Sequence, residues 1–326
     1  MGKPKVFLTR ELPSPVMAFL KEHTELSYNA EDRVLKKQEI IEGVQGKAGL
    51  ISLVTDTIDR EVIEAAPDLK VISNYAVGFN NIDVEAATEH NIAVTNTPGV
   101  LTETTADLAW ALLMTVARRV VEGDVYTRSG QWENWAPQLF LGSDVHGATL
   151  GIVGMGRIGQ AVARRARGFE MDVLYYSRTR LPLEQERSLN AEYVTKEELL
   201  QRADYISIHV PYTEGTHHFI GERELKLMKE TAYLINTARG PIVDEKALVH
   251  ALEHGVIAGA GLDVYEREPQ LEPGLKDLSN VVLLPHIGSA SVKTRTNMGM
   301  MAAQNVLAVL TGRPCENVVN QAGLHQ

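Results

Sequence analysis

A glycine-rich turn between a strand and a helix restricts this chain of 326 residues more than any other feature. Residues 149–159 read T-L-G-I-V-G-M-G-R-I-G, an apolar strand-like run followed directly by G-x-G-x-x-G. In this pattern the first glycine permits a tight turn, the second lets the backbone approach a pyrophosphate, and the third lets the helix pack closely on the strand. Free N–H groups at the start of the helix then face the phosphate charge. The segment therefore predicts a dinucleotide site on Gly154, Gly156 and Gly159, with an ordinary glycine-rich connection as the alternative.

Short apolar runs alternate with helical patterns along most of the chain, which is typical of a parallel sheet covered by helices on both faces. The predicted strands are residues 6–8, 50–54, 71–73, 92–94, 150–153, 172–176, 205–210, 233–236, 258–262 and 281–284. Between the two strand series we expect one long helix over residues 104–121, opened by a capping box at Thr104-x-x-Asp107. Because this helix is apolar nearly all round, burial between domains or subunits is expected. Residues 123–147 are predicted to be irregular, and residues 289–311 helical.

Charge and composition exclude several classes of partner. Acidic side chains outnumber basic ones by 42 to 32, giving a formal net charge of -10. We therefore expect neither nucleic acid nor an anionic membrane as a partner. The longest apolar stretch, residues 108–117, is about half of the ~20 residues that a membrane span needs. With no apolar leader before the first predicted strand and one cysteine, Cys315, the sequence favours a cytoplasmic location.

The residues after the second strand of the dinucleotide unit indicate the type of cofactor. An NAD site usually carries Asp or Glu there, which holds the ribose 2′-hydroxyl. This chain has Ser177-Arg178-Thr179-Arg180 instead, with no carboxylate and two guanidinium groups that suit a 2′-phosphate. We therefore predict NADP(H) in preference to NAD(H). The alternative is that both arginines are solvated charges of a loop.

Three motifs each end a predicted strand, namely N-T-A-R-G at 236–240, G-L-D-V-Y-E-R-E-P at 261–269 and P-H-I-G-S at 285–289. Ligands of an open parallel sheet bind at the carboxyl ends of its strands, so Arg239, Glu268 and His286 are expected near one nicotinamide ring. Arginine suits a substrate carboxylate, histidine can donate a proton near neutral pH, and a glutamate beside it would orient the imidazole. Each residue alone has an ordinary structural explanation. Together they predict the reduction of a 2-oxo acid by hydride transfer.

The same three motifs resemble the signatures of the D-isomer-specific 2-hydroxyacid dehydrogenases. The resemblance covers nearly the whole chain, including N-Y-A-V-G-F-N-N-I-D at 74–83. Within the family it is greatest to glyoxylate/hydroxypyruvate reductases, through F-L-G-S-D at 140–144 and Y-S-R-T-R at 176–180. It implies an α/β protein of two doubly wound parallel-sheet domains. These would be a flavodoxin-like substrate domain of residues 1–98 and 288–326, and a Rossmann cofactor domain of residues 99–287.

The resemblance also implies roles for single residues: His286 as proton donor, Glu268 as its partner, and Arg239 in substrate binding. Trp135 resembles an aromatic residue that reaches into the active site of a neighbouring subunit, which implies a homodimer; packing within its own loop is the alternative. The predicted substrate-binding residues are Val77 and Gly78, whose backbone would hold the carboxylate, with Trp135, Arg239 and Ser289. The predicted cofactor-binding residues are Gly154, Gly156, Arg157, Ile158, Gly159, Ser177, Arg178, Thr179, Arg180, Val210, Pro211, Thr237, Ala238 and Asp263.

Two histidine pairs are considered as metal ligands and set aside, so no metal site is predicted. His250 and His254 fit the H-x-x-E-H pattern of inverted zinc peptidases. No third ligand is evident, however, and the segment follows P-I-V-D-E at 241–245, which opens a connecting helix. His217 and His218 are adjacent in the sequence, and no further residues follow or precede them at a spacing typical of metal ligands.

The leading hypothesis is an NADPH-dependent reductase of glyoxylate and hydroxypyruvate. One alternative is a dehydrogenase of another acid, such as phosphoglycerate, lactate or phosphite. We expect no regulatory domain after the last helix, and the Asn74-Tyr75 loop offers no arginine for a phosphate; both weigh against phosphoglycerate. Another alternative is a non-catalytic, dinucleotide-sensing protein that resembles the corepressors related to this family.

Overall fold

Two parallel sheets form the framework of the protein in the computed structural model, which describes residues 2–324. All pairings between neighbouring strands are parallel. The first sheet consists of β1 (Lys5–Leu8), β2 (Glu25–Tyr28), β3 (Gly49–Ser52), β4 (Val71–Asn74) and β5 (Ala93–Thr95). The second consists of β6 (Thr149–Val153), β7 (Asp172–Tyr176), β8 (Ala191–Tyr193), β9 (Tyr205–Ile208), β10 (Tyr233–Asn236), β11 (Gly259–Leu262) and β12 (Val281–Leu283).

The order of the strands confirms the predicted fold class. The first sheet runs β2-β1-β3-β4-β5, which is the flavodoxin-like order. The second runs β8-β7-β6-β9-β10-β11-β12, a doubly wound Rossmann order extended by one strand. The strand order reverses between β1 and β3 in one sheet and between β6 and β9 in the other. Ligands bind at such reversals, at the carboxyl ends of the strands.

Helices cover both faces of each sheet. In the described residues they are α1 (Ser14–His23), α2 (Lys37–Gly43), α3 (Arg60–Glu64), α4 (Val84–Glu89), α5 (Thr102–Ala117), α6 (Val120–Arg128), α7 (Arg157–Ala166), α8 (Leu183–Leu189), α9 (Lys196–Arg202), α10 (Glu222–Leu227), α11 (Glu245–Glu253) and α12 (Val292–Leu310). Central strands such as β3 and β9 are buried at every position. Strands covered on both faces need near-continuous apolar runs, which explains why these strands could be predicted from sequence.

The chain forms two compact units. The first domain comprises Met1–Leu101 and Ser289–Gln326, and contains the five-stranded sheet. Its C-terminal helix α12 packs on β3, β4 and β5, so the chain returns to this domain after leaving it. The second domain, Thr102–Gly288, is one continuous segment and contains the seven-stranded sheet. None of the described helices is long and apolar enough to cross a membrane.

Two strands were missed by the sequence analysis. β2 and β8 lie at the edges of their sheets, and each pairs with a single neighbour, β1 and β7 respectively. Neither contains a fully buried residue. An edge strand is partly solvated, so it lacks the continuous apolar run by which the central strands were recognised.

The long helix predicted over residues 104–121 was wrong in its extent and its start. It begins at Thr102, which leaves Thr104 and Asp107 inside the helix rather than in a capping box, and it ends at Ala117. The Ala117 carbonyl accepts the N–H of Ser143 at 2.9 Å, and Arg119 adopts a left-handed φ of 53°. A second helix, α6, then occupies part of the stretch predicted to be irregular. The apolar face of α5 packs on α7 and on β10, β11 and β12, within the second domain.

A buried carboxylate at the start of α11 ties that helix to the loop after β11. Glu245 is 3% exposed; its Oε1 accepts the N–H of Glu266 at 2.7 Å, and its own N–H donates to Glu266 Oε1 at 2.9 Å. Burial raises the pKa of Glu245 to about 7, and the neighbouring Glu266 carboxylate acts in the same direction. The same loop carries Glu268, so this pairing fixes a segment that contains a candidate catalytic residue.

Replacing Glu245 by glutamine should remove a pH-dependent part of the stability. The folded-state pKa of about 7 lies above the ordinary value of 4.5, so the protonated carboxyl stabilises the fold fully below about pH 4.5. This contribution is lost as the pH rises through 7, and amounts to about 3 kcal/mol for a shift of this size. Relative to Glu245→Gln, the wild-type free energy of unfolding in urea should fall by that amount between about pH 4.5 and pH 8. Glu253→Gln, exposed on the same helix, is the control and should follow the wild type. Parallel pH profiles for the wild type and Glu245→Gln would refute the assignment.

Candidate active site

The glycine-rich turn after β6 has the geometry that each of its glycines was expected to provide. Gly154 has a φ of 102°, and a Cβ added to it would lie 2.7 Å from the backbone of His209 and Val210. A Cβ added to Gly159 would lie 2.1 Å from the Gly154 carbonyl oxygen, so the helix packs directly on the turn. Gly156, in contrast, faces open space. The turn therefore combines two positions closed to side chains with one that an incoming phosphate can approach.

Helix α7 starts immediately after Gly156, so Arg157 and Ile158 occupy its first turn. The first N–H groups of any α-helix have no partner within the helix, and the helix dipole adds partial positive charge there. Val210 and Pro211 follow β9, the strand on the other side of the reversal. The glycine-rich turn, the start of α7 and the loop after β9 thus lie at the carboxyl ends of the strands of the second sheet. A dinucleotide would fit at this edge.

The loop after β7 contains two arginines with different surroundings. Arg180 pairs with the 8%-exposed carboxylate of Glu186 on α8, through Nε and Nη2 at 2.8 and 2.9 Å. The pairing with Arg180 and the hydroxyl of Tyr175 lower the pKa of Glu186 to about 2. Arg178 is exposed, as is Thr179, while Ser177 is half-buried. Arg178 is therefore exposed to solvent, whereas the ion pair of Arg180 joins the loop to α8.

Glu186 is a residue that the sequence analysis did not identify. Its partner Tyr175 also receives the N–H of Leu181 at 2.9 Å, so a tyrosine, a glutamate and an arginine together hold the 177–181 loop. The sequence signal was a carboxylate six residues after Arg180 on the following helix, which could have indicated that this guanidinium is not free.

The loop after β10 contains a buried hydroxyl without a protein partner. Thr237 is 8% exposed, and within the described residues its Oγ1 makes no hydrogen bond. An unsatisfied buried polar group costs free energy, so a ligand atom at this position is favoured. The adjacent Ala238 donates its N–H to Asn236 Oδ1 at 3.0 Å, which holds the turn in shape. The residues present therefore fit a nicotinamide dinucleotide lying across β6, β9 and β10.

Asp263, which follows β11, was predicted to bind the cofactor, and in the structure it also binds backbone N–H groups. Its Oδ1 accepts the N–H of Ile287 and its Oδ2 that of Gly288, both at 2.7 Å. The side chain is 1% exposed, and burial raises its pKa despite these two bonds. Asp263 therefore anchors the loop after β12 to the end of β11, and with it the residue just before Ile287.

That residue is His286, and it is paired as expected. Its Nδ1 lies 2.7 Å from Oε2 of Glu268, while the Glu268 Oε1 accepts the N–H of Tyr265 at 3.1 Å. Burial acts to raise the pKa of Glu268, but the hydrogen bond and charge of His286 outweigh it, and the pKa lies below its ordinary value. Since Nδ1 is occupied by the carboxylate, Nε2 is the ring nitrogen left for a substrate.

Arg239 approaches the same pair from the loop after β10. Its Nη1 donates to the Ala238 carbonyl at 2.7 Å. Burial lowers the pKa of Arg239 and the Glu268 charge opposes this, but a guanidinium remains protonated at any physiological pH. The following Gly240 lies so close to the loop after β11 that an added Cβ would be 1.8 Å from the Tyr265 carbonyl carbon. The two loops that carry Arg239 and Glu268 therefore pack backbone to backbone.

The remaining predicted site residues are spread over both domains. Val77 and Gly78 form the loop after β4 in the first domain, and Ser289 accepts a hydrogen bond from Arg295 Nε at 3.1 Å in the same domain. Trp135 belongs to the second domain and its side chain is 78% exposed. Packing within its own loop, the alternative considered above, therefore does not account for this tryptophan.

The histidine pairs considered as metal ligands have different surroundings. The rings of His250 and His254 stack on each other at 4.1 Å, and no third ligand among the described residues completes a metal-sized group with them. His218 has potential ligands nearby in space that its sequence spacing does not show. Ligand atoms of His218, Asp244 and Glu266 lie within 4.8 Å of one another, brought together by separate loops that sequence spacing does not connect. In the structure His218 Nε2 bonds to Glu266 Oε1 at 3.1 Å.

Comparisons with known proteins identify the family of this chain. The family model of the D-isomer specific 2-hydroxyacid dehydrogenase, NAD binding domain, matches residues 110–288. A glyoxylate reductase of Korarchaeum cryptofilum is 55% identical, over 98% of this chain and 96% of its own length.

Two solved structures extend the likeness. A protein from Thermus thermophilus is 50% identical with a TM-score of 0.90, over 97% of this chain and 99% of its own. The NADPH-dependent glyoxylate/hydroxypyruvate reductase of Sinorhizobium meliloti, in complex with NADP and malonate, is 31% identical with a TM-score of 0.87, over 100% of this chain and 99% of its own. With the motifs, the strand order and these relatives in agreement, the chain belongs to the D-isomer-specific 2-hydroxyacid dehydrogenase family.

Proposed function

We propose that this protein reduces glyoxylate, and hydroxypyruvate as a second substrate, to the D-2-hydroxy acid with NADPH. The observation that carries the proposal is the bond of 2.7 Å between His286 Nδ1 and Glu268 Oε2, at the carboxyl end of the sheet that carries the dinucleotide turn. The similarity to glyoxylate reductases over almost the full length supports the choice of acid. The S. meliloti relative, an NADPH-dependent enzyme, supports the choice of cofactor.

The catalytic roles follow from the chemistry of a carbonyl reduction. When bound, the reduced nicotinamide supplies a hydride to the carbonyl carbon. His286 donates a proton from Nε2 to the carbonyl oxygen, and Glu268 orients the ring through Nδ1 and stabilises the imidazolium. Arg239 binds the substrate carboxylate with its guanidinium fork. In the first domain, the proposed substrate-binding groups are the backbone of Val77 and Gly78 and the side chain of Ser289, so we propose that this is the substrate domain.

The cofactor site would use the second domain. Gly154, Gly156 and Gly159, with the start of α7 at Arg157 and Ile158, would hold the pyrophosphate. Arg178, with Ser177 and Thr179, would bind the 2′-phosphate of NADPH. Thr237, with its unpaired buried hydroxyl, would face the nicotinamide end with Asp263. Val210, Pro211 and Ala238 would line the space between these two ends.

Replacing His286 by alanine should remove the proton donor and leave the cofactor site intact. We expect kcat for glyoxylate to fall by at least about 100-fold, the usual contribution of a positioned general acid. The dissociation constant for NADPH, measured by fluorescence titration, should change little. His254→Ala, an exposed histidine of the same domain, is the control. Near-normal turnover by His286→Ala would exclude His286 as the acid, and no turnover by the wild type with any 2-oxo acid would contradict the proposed function.

The two arginines of the 177–180 loop should differ when each is replaced by alanine. Arg178→Ala should raise KM for NADPH by about tenfold, the size of one charge-assisted hydrogen bond, and leave KM for NADH unchanged. Arg180→Ala breaks the ion pair with Glu186, so it should lower Tm and weaken the binding of both cofactors alike. Steady-state kinetics with both cofactors separate the two outcomes. A wild type that prefers NADH, or an Arg178→Ala variant with unchanged NADPH kinetics, would refute this assignment.

We further propose that the protein is a homodimer that associates through α6 and the segment after it. Seven of the eleven large apolar side chains that are exposed among the described residues lie between 120 and 141. They are Val120, Val121, Val125, Trp132, Trp135, Leu139 and Leu141. Large exposed apolar patches are rare on monomeric proteins, so this concentration of exposed apolar side chains in one segment favours a partner surface. A second copy of the chain fits best because Trp135 resembles the aromatic residue that this family places in the neighbouring subunit.

Light scattering after size exclusion tests the dimer. The wild type should have about twice the chain mass of 35.9 kDa. Val121→Asp combined with Val125→Asp should give a monomer, because two buried carboxylates without partners oppose association. Val292→Asp, at an 87%-exposed position of the first domain, should leave the mass unchanged. A monomeric wild type at micromolar concentration would overturn the proposal.

A further inference from the structure

The loop after β4 has three successive carbonyl groups that are each held by the first domain itself. The Ala76 carbonyl accepts the N–H of Thr97 at 2.9 Å. The Val77 carbonyl accepts Nδ2 of Asn96 at 2.8 Å, and the Gly78 carbonyl accepts Nδ2 of Asn74 at 2.8 Å. A loop of this kind normally has its carbonyls in water, so three consecutive protein donors fix its peptide planes with unusual completeness.

The direction of the N–H groups follows from these bonds. In a trans peptide the N–H points opposite to the carbonyl of the same plane. The N–H of Val77 therefore faces away from Thr97, and the N–H of Gly78 faces away from Asn96. In the part of the chain that the structure describes, neither N–H donates to a protein acceptor. The N–H groups of Val77 and Gly78 are thus two neighbouring donors that could bind an anion, since anions are commonly bound by successive backbone N–H groups.

Asn96 is itself held from the C-terminal part of the chain. Its carbonyl accepts Nδ2 of Asn305, on α12, at 3.0 Å, and its N–H donates to the Asn317 carbonyl at 3.3 Å. Asn317 Nδ2 in turn donates to Asn305 Oδ1 at 2.9 Å. The backbone of Asn96 is therefore fixed on both sides, and its side chain is directed at Val77.

Asn74 is held in a second network, at the end of β4. This asparagine is fully buried, and its Oδ1 accepts the hydroxyl of Ser52 at 3.1 Å. Its Nδ2 is shared between the Gly78 carbonyl and Asn81 Oδ1 at 2.9 Å. Asn81 Nδ2 donates to the carbonyls of Leu53 and Asp56, both at 3.0 Å. The amide groups of Asn74 and Asn81 thus join the loop after β4 to the loop after β3.

We infer that Asn96 and Asn74 are positioning residues for substrate binding. They hold the carbonyls of Val77 and Gly78 inward, so that the backbone N–H groups of this loop are aimed at the substrate carboxylate. Neither asparagine needs to touch the substrate. The inference rests on the proposed function in one respect, that a carboxylate is the anion received by this loop.

The consequence concerns the backbone donors of this loop, whose direction is set before a substrate carboxylate binds. Preorganised donors lose less conformational freedom on binding than flexible ones. Removing an asparagine side chain should therefore weaken binding of the acid and leave the chemical step largely intact.

Asn96→Ala is the cleanest test, because the backbone bonds of residue 96 remain and only the bond to Val77 is lost. We expect KM for glyoxylate to rise by about tenfold, the cost of about one hydrogen bond, with kcat at saturation within about twofold of the wild type. The dissociation constant of oxamate, a non-reactive analogue of a 2-oxo acid, should rise by about the same factor in calorimetry. KM for NADPH should be unchanged.

Asn320→Ala is the matched control. Asn320 is a buried asparagine of the same domain whose side chain makes three hydrogen bonds, to Thr88, Ile92 and Val94, and none to the loop after β4. Its replacement should lower Tm at least as much as Asn96→Ala and leave oxamate affinity unchanged. An equal loss of oxamate affinity in both variants would show that Asn96 acts only through stability.

The outcomes separate this inference from the proposed function. Unchanged oxamate affinity and KM in Asn96→Ala would overturn the inference, as would a crystal structure of that variant with residues 76–79 in the same conformation. A wild type that binds oxamate without reducing any 2-oxo acid would contradict the proposed function alone, and the oxamate comparison would still decide the role of Asn96. A wild type that binds no oxamate in the presence of NADPH would overturn the inference.

Discussion

The two hydrogen bonds that Asp263 accepts from the N–H groups of Ile287 and Gly288 fix the centre of the second domain. They join the end of β11 to the segment after β12, and so place His286 against Glu268. A charged-group hydrogen bond contributes about 1.5–3 kcal/mol. The side chain is almost fully buried, so breaking either bond would leave an unsatisfied charge in the interior. His286 has a left-handed backbone with φ of 54°, a conformation that non-glycine residues seldom adopt without such support.

Around this anchor, backbone contacts set the remaining geometry. Gly240 lies against the backbone of Tyr265, and Glu245 accepts the N–H of Glu266, so the loops after β10 and β11 are joined directly. Glu268 is thereby hydrogen-bonded to His286, and it interacts electrostatically with the guanidinium of Arg239. An acid–base pair of this type needs ångström-level placement to contribute to catalysis. The parallel sheet provides this placement, because several of its strands end at the same edge.

Much of this arrangement could be predicted from sequence, and the reasons are physical. Central strands carry continuous apolar runs, and the glycines of the turn after β6 are required by close backbone contacts, so both leave strong local signals. The edge strands β2 and β8 lack that signal. The end of α5 depends on Ser143, 26 residues away in sequence from the carbonyl it binds, and no local pattern encodes such a contact. The grouping of His218 with Asp244 and Glu266 was missed for the same reason. The pairing of Arg180 with Glu186 did leave a local signal, a carboxylate six residues further along the chain.

The return of the chain to its first domain has a consequence for how the protein is made. The second domain is continuous from residue 102 to 288 and can fold as a unit during synthesis, as domains generally do. The first domain is interrupted: its sheet is not covered by α12, and Asn96 is not held by Asn305 and Asn317, until residues 292–317 have been synthesised. A nascent chain truncated before residue 305 would thus contain every residue of the dinucleotide turn and all three of Arg239, Glu268 and His286, yet have an unfinished carboxylate loop. Synthesis of residues 292–317 is then the step that completes the support of the loop proposed to bind the substrate carboxylate.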